Sequence, residues 1–254
     1  MRQDLLSVGR WLTVLAAATL SAVGAEAQRT SGPGYLFGAP DGSIALRLGY
    51  SRPSAGSDLF SYTTSNLSLS KADFGAIEVG ADVGILQGDH LEWLFSVDVA
   101  KRSADSDYRH FIGSDGLPIV QATTFSRVPL MIGVRYWLRP QGTTVGKLAW
   151  VPSSWTPFIA LQGGAMWYEF HQSGDFVNFS NGNAVFAGDL TSNGWTPVAA
   201  ISAGAAFSLS PRFQLLTQAR YVYANKTLGV DFTGFQPIDL SGLSFTAGLS
   251  FRIQ

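Results

Sequence analysis

An all-β protein, built as an eight-stranded antiparallel up-and-down meander, is what this sequence predicts, and three observations carry the prediction. Eight segments alternate apolar residues with small or polar ones, the period of two that sends successive side chains to opposite faces of a strand. The connections between them alternate short and long, which gathers the long loops at one end. Charged residues make up only 14% and aromatics reach 13% over 254 residues with 28 glycines, against roughly a quarter charged in an ordinary soluble domain.

The segments follow in order. The first sets Ile44, Leu46, Leu48 and Tyr50 against Arg47 and Gly49, and the second sets Ile77, Val79, Ala81, Val83 and Ile85 against Glu78, Gly80, Asp82 and Gly84. The third opposes Leu91, Trp93, Phe95, Val97 and Val99 to Glu92, Ser96, Asp98 and Ala100. In the fourth, Val128, Leu130, Ile132, Val134 and Tyr136 face away from Arg127, Met131, Gly133 and Arg135. The fifth is less sharp, with Ile159, Leu161, Gly163, Ala165 and Trp167 on one side. The sixth puts Ile201 and Phe207 among alanines, opposite Ala, Ser and Gly. The seventh opposes Leu215, Thr217, Ala219, Tyr221 and Tyr223 to Leu216, Gln218 and Arg220; the eighth is "LSFTAGLSFRIQ", alternating almost to the last residue.

"LQGDH" and "SPR" are the tight turns, after the second and sixth segments. The connection 139–155 should be short by this alternation and is not. It carries Trp150 and Trp155 and is expected to lie along a membrane interface. Within two long connections, "RHFIGSDGLPIV" and "HQSGDFVNFSNGNAVFAGDL" look like hairpins turning at 113–116 and 180–183. These would carry Phe176, Phe179 and Phe186 above the sheet.

Which face lies inside follows from size. An eight-stranded barrel has an interior just wide enough for side chains to fill, and the large apolar residues of all eight segments would overfill it. Gly, Ala, Ser and a few charges fit. Tyr50, Trp167, Tyr221 and Tyr223 fall at the long-loop ends of the apolar faces, and Trp93, Tyr136 and Phe251 at the short-turn ends, where the aromatic girdles of a membrane barrel belong. The expectation is therefore a transmembrane β-barrel with long extracellular loops, short periplasmic turns and lipid outside. Its closure satisfies every backbone polar group without water.

Residues 1–27 read as a secretory signal peptide: Arg2 and Arg10, an apolar run over 11–23, then Ala25-Glu26-Ala27. That leaves 28–254 as the barrel. There is no cysteine, which excludes disulfides and thiolate chemistry. A net charge of −1 without a basic cluster argues against nucleic acid as a partner.

The closing strand also carries a resemblance. Thr246, Gly248, Phe251 and Ile253 resemble the terminal insertion signal of outer-membrane proteins, which implies reading by the barrel-assembly machinery. "RVPLMIGVRYWL", "TPFIALQGGAMWY" and "SPRFQLLTQARYVY" look like strands of the small outer-membrane β-barrel superfamily that includes outer membrane protein A-like and OmpX- or OmpW-like members. The resemblance implies a place in the cell outer membrane, with outer-membrane lipid and lipopolysaccharide as surroundings. It departs at the end, where Ile253-Gln254 stands in place of an aromatic terminus. No peptidoglycan-binding domain is expected after the barrel.

The inward face carries Arg47, Arg127, Arg135, Arg220 and Arg252 against Glu78, Asp82, Glu92 and Asp98. These form either a gated polar pathway or an ion-paired plug, and the narrow bore favours the plug. Enzyme signals are thin. His171-Gln172-Ser173 has a spacing seen in lipid A deacylase barrels, and His110 near Asp107 and Asp115 reads as a solvated loop. His90 sits in a short turn without evident partners. No cofactor, metal or catalytic residue is expected. The leading expectation is a non-enzymatic outer-membrane barrel with a structural or surface-interaction role in its extracellular loops. The alternatives are a narrow channel for small or hydrophobic solutes and, third, a lipid A-modifying enzyme.

Overall fold

The computed structural model describes residues 34–113, 116–178, 182 and 184–254. The signal-peptide segment, Asp115, Phe179, Ser180, Asn181 and Asn183 lie outside the described residues. Eight strands close into a barrel: β1 (Gly42–Pro53), β2 (Ala76–Gln87), β3 (Leu91–Ile112), β4 (Pro118–Trp137), β5 (Trp155–Asn178), β6 (Ala184–Ser208), β7 (Phe213–Tyr223) and β8 (Gly242–Ile253). Each pairs antiparallel with its neighbours in sequence, and β8 returns to β1 over its full length, from Gly242 opposite Pro53 to Ile253 opposite Gly42.

The outer skin between the girdles is apolar. Leu48, Ile77, Ile132, Leu161, Ile201 and Phe245 are all exposed, Leu161 to 63%, an arrangement that water does not tolerate over a whole circumference. Along β5 the outward residues run from Trp155 to Trp167. At about 3.3 Å per residue and a tilt near 45°, that run spans about 28 Å, the height of a lipid-facing band. Trp195 sits directly opposite Trp167 in the β5–β6 ladder and completes that part of the extracellular girdle. Immediately above, the same face turns polar with Glu169, His171, Ser173 and Asp189. The chain is a transmembrane barrel of the outer-membrane type.

The wall is of unequal height. β1, β2, β7 and β8 have 12, 12, 11 and 12 residues, whereas β3 to β6 have 22, 20, 24 and 25. The two long hairpins thus continue the sheet upward as a four-stranded tower, and His110 lies within β3 rather than in a loop. Into the tower's concave side fold two connections. The β1–β2 segment forms a helix, α1 (Asp58–Asn66), and a 3-10 turn (Lys71–Phe74); the β7–β8 segment carries a second 3-10 turn (Val230–Phe232).

At the other end, the 139–155 connection folds into a hairpin of Gly142–Val145 and Ala149–Pro152, and Leu36–Phe37 pairs with it as a third strand. Trp150 does not lie along the membrane interface: it is buried beneath the lumen with its ring 5.2 Å from the Arg252 guanidinium. A cation otherwise open to the periplasm draws the ring inward. Trp155 opens β5 on the exposed outer face, under Arg139 at 4.9 Å. His90 also has partners, the Trp137 carbonyl at 2.6 Å from Nδ1 and the Tyr136 ring stacked at 5.6 Å.

Candidate functional site

Strand alternation points one side chain in two into the lumen, and the register decides which of them meet. Arg47 on β1 donates to Asp82 on β2 at 2.7 Å and to Asp98 on β3 at 2.8 Å. Asp98 is also paired with Arg220 on β7, across the lumen. Arg135 on β4 reaches Asp82 at 3.3 Å and Glu92 at 3.1 Å. Three guanidinium groups and three carboxylates thereby form one continuous buried network. Its rim is satisfied by Ser96, which donates to Asp82 at 2.7 Å, and by Gln162, which donates to Ser96 at 2.8 Å. With its amide oxygen turned inward, Gln218 accepts from Arg47 at 2.7 Å and Arg220 at 3.0 Å. Glycine makes the space: a Cβ at Gly80 would collide with the Asp98 carboxylate, and one at Gly84 with that of Glu92.

Glu78, Arg127 and Arg252 stand outside this network. Arg127 donates to the Leu240 carbonyl at 2.9 Å and to Ser51 at 2.8 Å. Glu78, the next inward residue above Gly80 on β2, has one carboxylate oxygen buried without a partner among the described residues. Arg252 binds the Pro211 carbonyl at 3.0 Å, Ser208 at 2.8 Å and Gln214 at 3.0 Å.

Below the ion network lies a small apolar layer of Trp137, Phe158 and Leu216, with Arg135 over Phe158 at 4.7 Å. Above it lies a larger one that sequence reasoning missed. Phe60 of α1 packs edge-on against Phe74 (4.9 Å), Phe125 (5.5 Å) and Phe170 (5.8 Å), and Phe232 closes on Phe170 at 5.6 Å. Phe125 and Phe170 are inward residues of the tower. The signal that could have exposed this layer is their phase, since they continue the inward set of Arg127 and Met166 above the girdle.

Of the girdle residues, Tyr50, Trp93, Tyr136, Tyr221 and Tyr223 are exposed on the outer face, while Trp167 and Phe251 are half-buried, Phe251 against Phe213 at 5.2 Å. In β8, Thr246 points into the lumen and Gly248 lies so close to β1 that a Cβ would strike the Leu46 carbonyl. Ile253 ends the ladder, and the Gln254 amide donates to the carbonyls of Phe37 (2.7 Å) and Gly38 (3.0 Å).

The tower presents two edges. On β3, residue Tyr108 bridges to Leu67, the Ser68 N–H donates to the Asp107 carbonyl at 2.8 Å, and Arg109 Nε donates to the Leu67 carbonyl at 2.6 Å. That edge is covered at 107–109. On β6, pairing with β7 stops at Ala199. Above it Thr196 donates to the Asn225 carbonyl, Ser192 accepts from the Gly229 N–H, and the Thr191 N–H donates to Asp231 at 2.9 Å. Higher still, 184–190 has no main-chain partner on this side among the described residues. Phe176 is buried, with Phe186 stacked on it at 5.8 Å and half exposed.

On the tower's outer face His171 Nε2 lies 2.6 Å from Asp189, and Ser173 stands opposite Asp189 in the ladder. The imidazole is thus committed to the carboxylate through Nε2. No group of three or more metal-ligating side chains occurs among the described residues.

No family model matches the chain, and no curated protein matches it. Among solved structures it is similar to Neisserial surface protein A, at 12% identity over 85% of this chain and 99% of that one, with a TM-score of 0.44. It is similar also to the outer membrane protein OprG from Pseudomonas aeruginosa, at 12% identity over 86% and 99%, with a TM-score of 0.45. A third is a major outer membrane protein from Thermus thermophilus, at 11% identity over 84% and 99%, with a TM-score of 0.43.

Proposed function

We propose that this outer-membrane barrel is a sealed scaffold whose work is surface interaction, done by the tower and in particular by the open upper edge of β6. The observation that carries the reading is the combination of a lumen filled at successive levels with a sheet edge left open outside the membrane. Residues 184–190 combine exposed Val185 and Phe186 with a single charge, Asp189. An unpaired edge of this composition is suited to accept an extended segment of a partner by strand addition. The ion network, the Phe60 layer and the Trp150 lid would all have to part before a solute passed, which disfavours a narrow channel. The Thr246, Gly248, Phe251 and Ile253 pattern remains the segment offered to the insertion machinery, and residues 1–27 the export signal.

Two measurements test this. In planar bilayers the refolded barrel is expected to give no sustained conductance steps, and large steps would overturn the sealed scaffold. On cells displaying the protein, Ala187→Pro is expected to abolish binding of extracellular proteins without reducing surface display. Undiminished binding would remove the β6 edge from the proposal.

A further inference from the structure

The inner side of the tower, at the level of Phe176 and Phe186, encloses a feature that the sealed lumen does not require. Between α1, the inner face of β3 to β6 and the β7–β8 connection lies a half-enclosed cavity of about 180 Å3. Six aromatic rings line it: Tyr62, Tyr108, Phe176, Phe186, Phe232 and Phe235. Tyr62 meets Phe235 edge-to-face at 5.5 Å, and Phe176 stacks on Phe186 at 5.8 Å, so the rings brace one another in pairs. Burial and the neighbouring Tyr62 push the Tyr108 hydroxyl up to about 12, so it stays neutral across physiological pH. One carboxylate, Asp231, stands at the rim; it accepts the Thr191 N–H through Oδ2 at 2.9 Å. The described lining residues include no lysine, arginine or histidine.

We propose that this cavity binds a small alkylated ammonium cation, held by the aromatic rings and by the Asp231 carboxylate. The faces of aromatic rings attract cations through their quadrupole, and alkylated ammonium groups suit such cages because they are weakly hydrated and have apolar skins. Anions are disfavoured, since among the described lining residues the only formal charge is the negative one of Asp231. Size narrows the class further. A cavity of about 150 Å3 accepts benzene, so this one has room for a trimethylammonium head with a short substituent. It is too small for a drug-sized molecule, whose pockets run from about 300 Å3 upward. The cavity lies above the membrane, so such a ligand reaches it from the external medium without crossing the ion network.

The test uses the refolded barrel in a maltoside detergent, because choline-like or amine-oxide headgroups would compete. Choline is the probe, 3,3-dimethylbutan-1-ol its uncharged isostere, and calorimetry or ligand-observed NMR the readout. Choline is expected to bind saturably and at least about tenfold more tightly than the isostere. Asp231→Asn, which keeps an acceptor for Thr191, and Phe235→Ala are each expected to weaken choline several-fold. Asp105→Asn, elsewhere on the tower, is expected to leave binding unchanged. Retention of the compact, heat-modifiable band on gels verifies that each variant is folded. Three outcomes overturn the proposal: isostere binding as tight as choline, wild-type affinity in Asp231→Asn, or no saturation by roughly 100 mM choline. Each stands whether or not the β6 edge binds a protein.

Discussion

The barrel is filled in two different ways on either side of the extracellular girdle, and the contrast separates what a membrane demands from what the aqueous side permits. Below, within the bilayer, the lumen holds Arg47, Arg135 and Arg220 against Asp82, Glu92 and Asp98, while the apolar residues face out. Above, the polarity reverses: the tower's outer face carries His171 and Asp189, and its inner face carries Phe125 and Phe170. One strand, β5, does both, with Leu161 apolar outward in lipid and Phe170 apolar inward above the girdle. The alternation never breaks, but what each face meets changes at Trp167.

Removing Asp98 is the strongest way to break the lower filling. It is shared by Arg47 and Arg220, so Asp98→Ala leaves both guanidinium groups short of a partner in a site with almost no solvent. Breaking a buried pair from one side typically costs about 3–5 kcal/mol. Urea unfolding in vesicles is expected to show a loss of that size. Conductance is expected to stay absent, because the Phe60 layer lies above. A loss below about 1 kcal/mol would mean that water, rather than these residues, balances the charges.

Phe60→Ala breaks the upper filling instead. A fully buried phenylalanine contributes about 3–5 kcal/mol when its site cannot collapse, but here the loss is expected to be local. Limited proteolysis should open the segment 54–75, while the heat-modifiable barrel band persists at the wild-type temperature. If barrel and cap melt together, the two fillings are one cooperative unit and the comparison fails.

How much of this was legible in the sequence follows the same divide. Strict alternation such as Ile77 to Ile85 against Glu78 to Gly84 announces a strand and its faces, because lipid and a narrow lumen each punish an error at every second residue. The partners of each lumen charge were not legible, since Arg220 meets Asp98 only through ring closure and shear. α1 was hidden for another reason. "DLFSYTTSN" is rich in Ser and Thr, weak helix formers, and its helix is stabilised by burial of Leu59, Phe60 and Thr63 against the tower. The 139–155 hairpin was equally opaque, because Trp150 reads as an interfacial residue until Arg252 is known to lie above it.

The lid gives a smaller effect. Trp150→Leu keeps an apolar side chain in place but removes the ring over Arg252, leaving that guanidinium its hydrogen bonds to Pro211, Ser208 and Gln214. The expected loss is about 1–2 kcal/mol, visible in urea unfolding as an unchanged slope with a lower midpoint. A loss as large as that of Asp98→Ala would make the lid part of the lower filling rather than a cover on it.

The smallest effect sharpens the comparison by pH. In the 3-10 turn that seats Phe74, the Asp73 carboxylate accepts from the Ser70 hydroxyl at 2.7 Å and the Ser70 N–H at 2.8 Å. The Ser70 hydroxyl first, and its N–H second, hold Asp73 below the usual carboxylate range. A group lowered on folding stabilises the folded form above its ordinary value and loses that contribution as pH falls through its folded one. The cap should therefore loosen on acidification below the ordinary aspartate range, and not on going from pH 8 to 6. Because Asp73 is partly exposed, the effect is at most about 1 kcal/mol and is screened by salt. Proteolysis of 54–75 at graded pH is the measurement. Asp73→Asn should abolish the acid-dependent part of the loosening, while the barrel's own unfolding keeps its wild-type pH dependence.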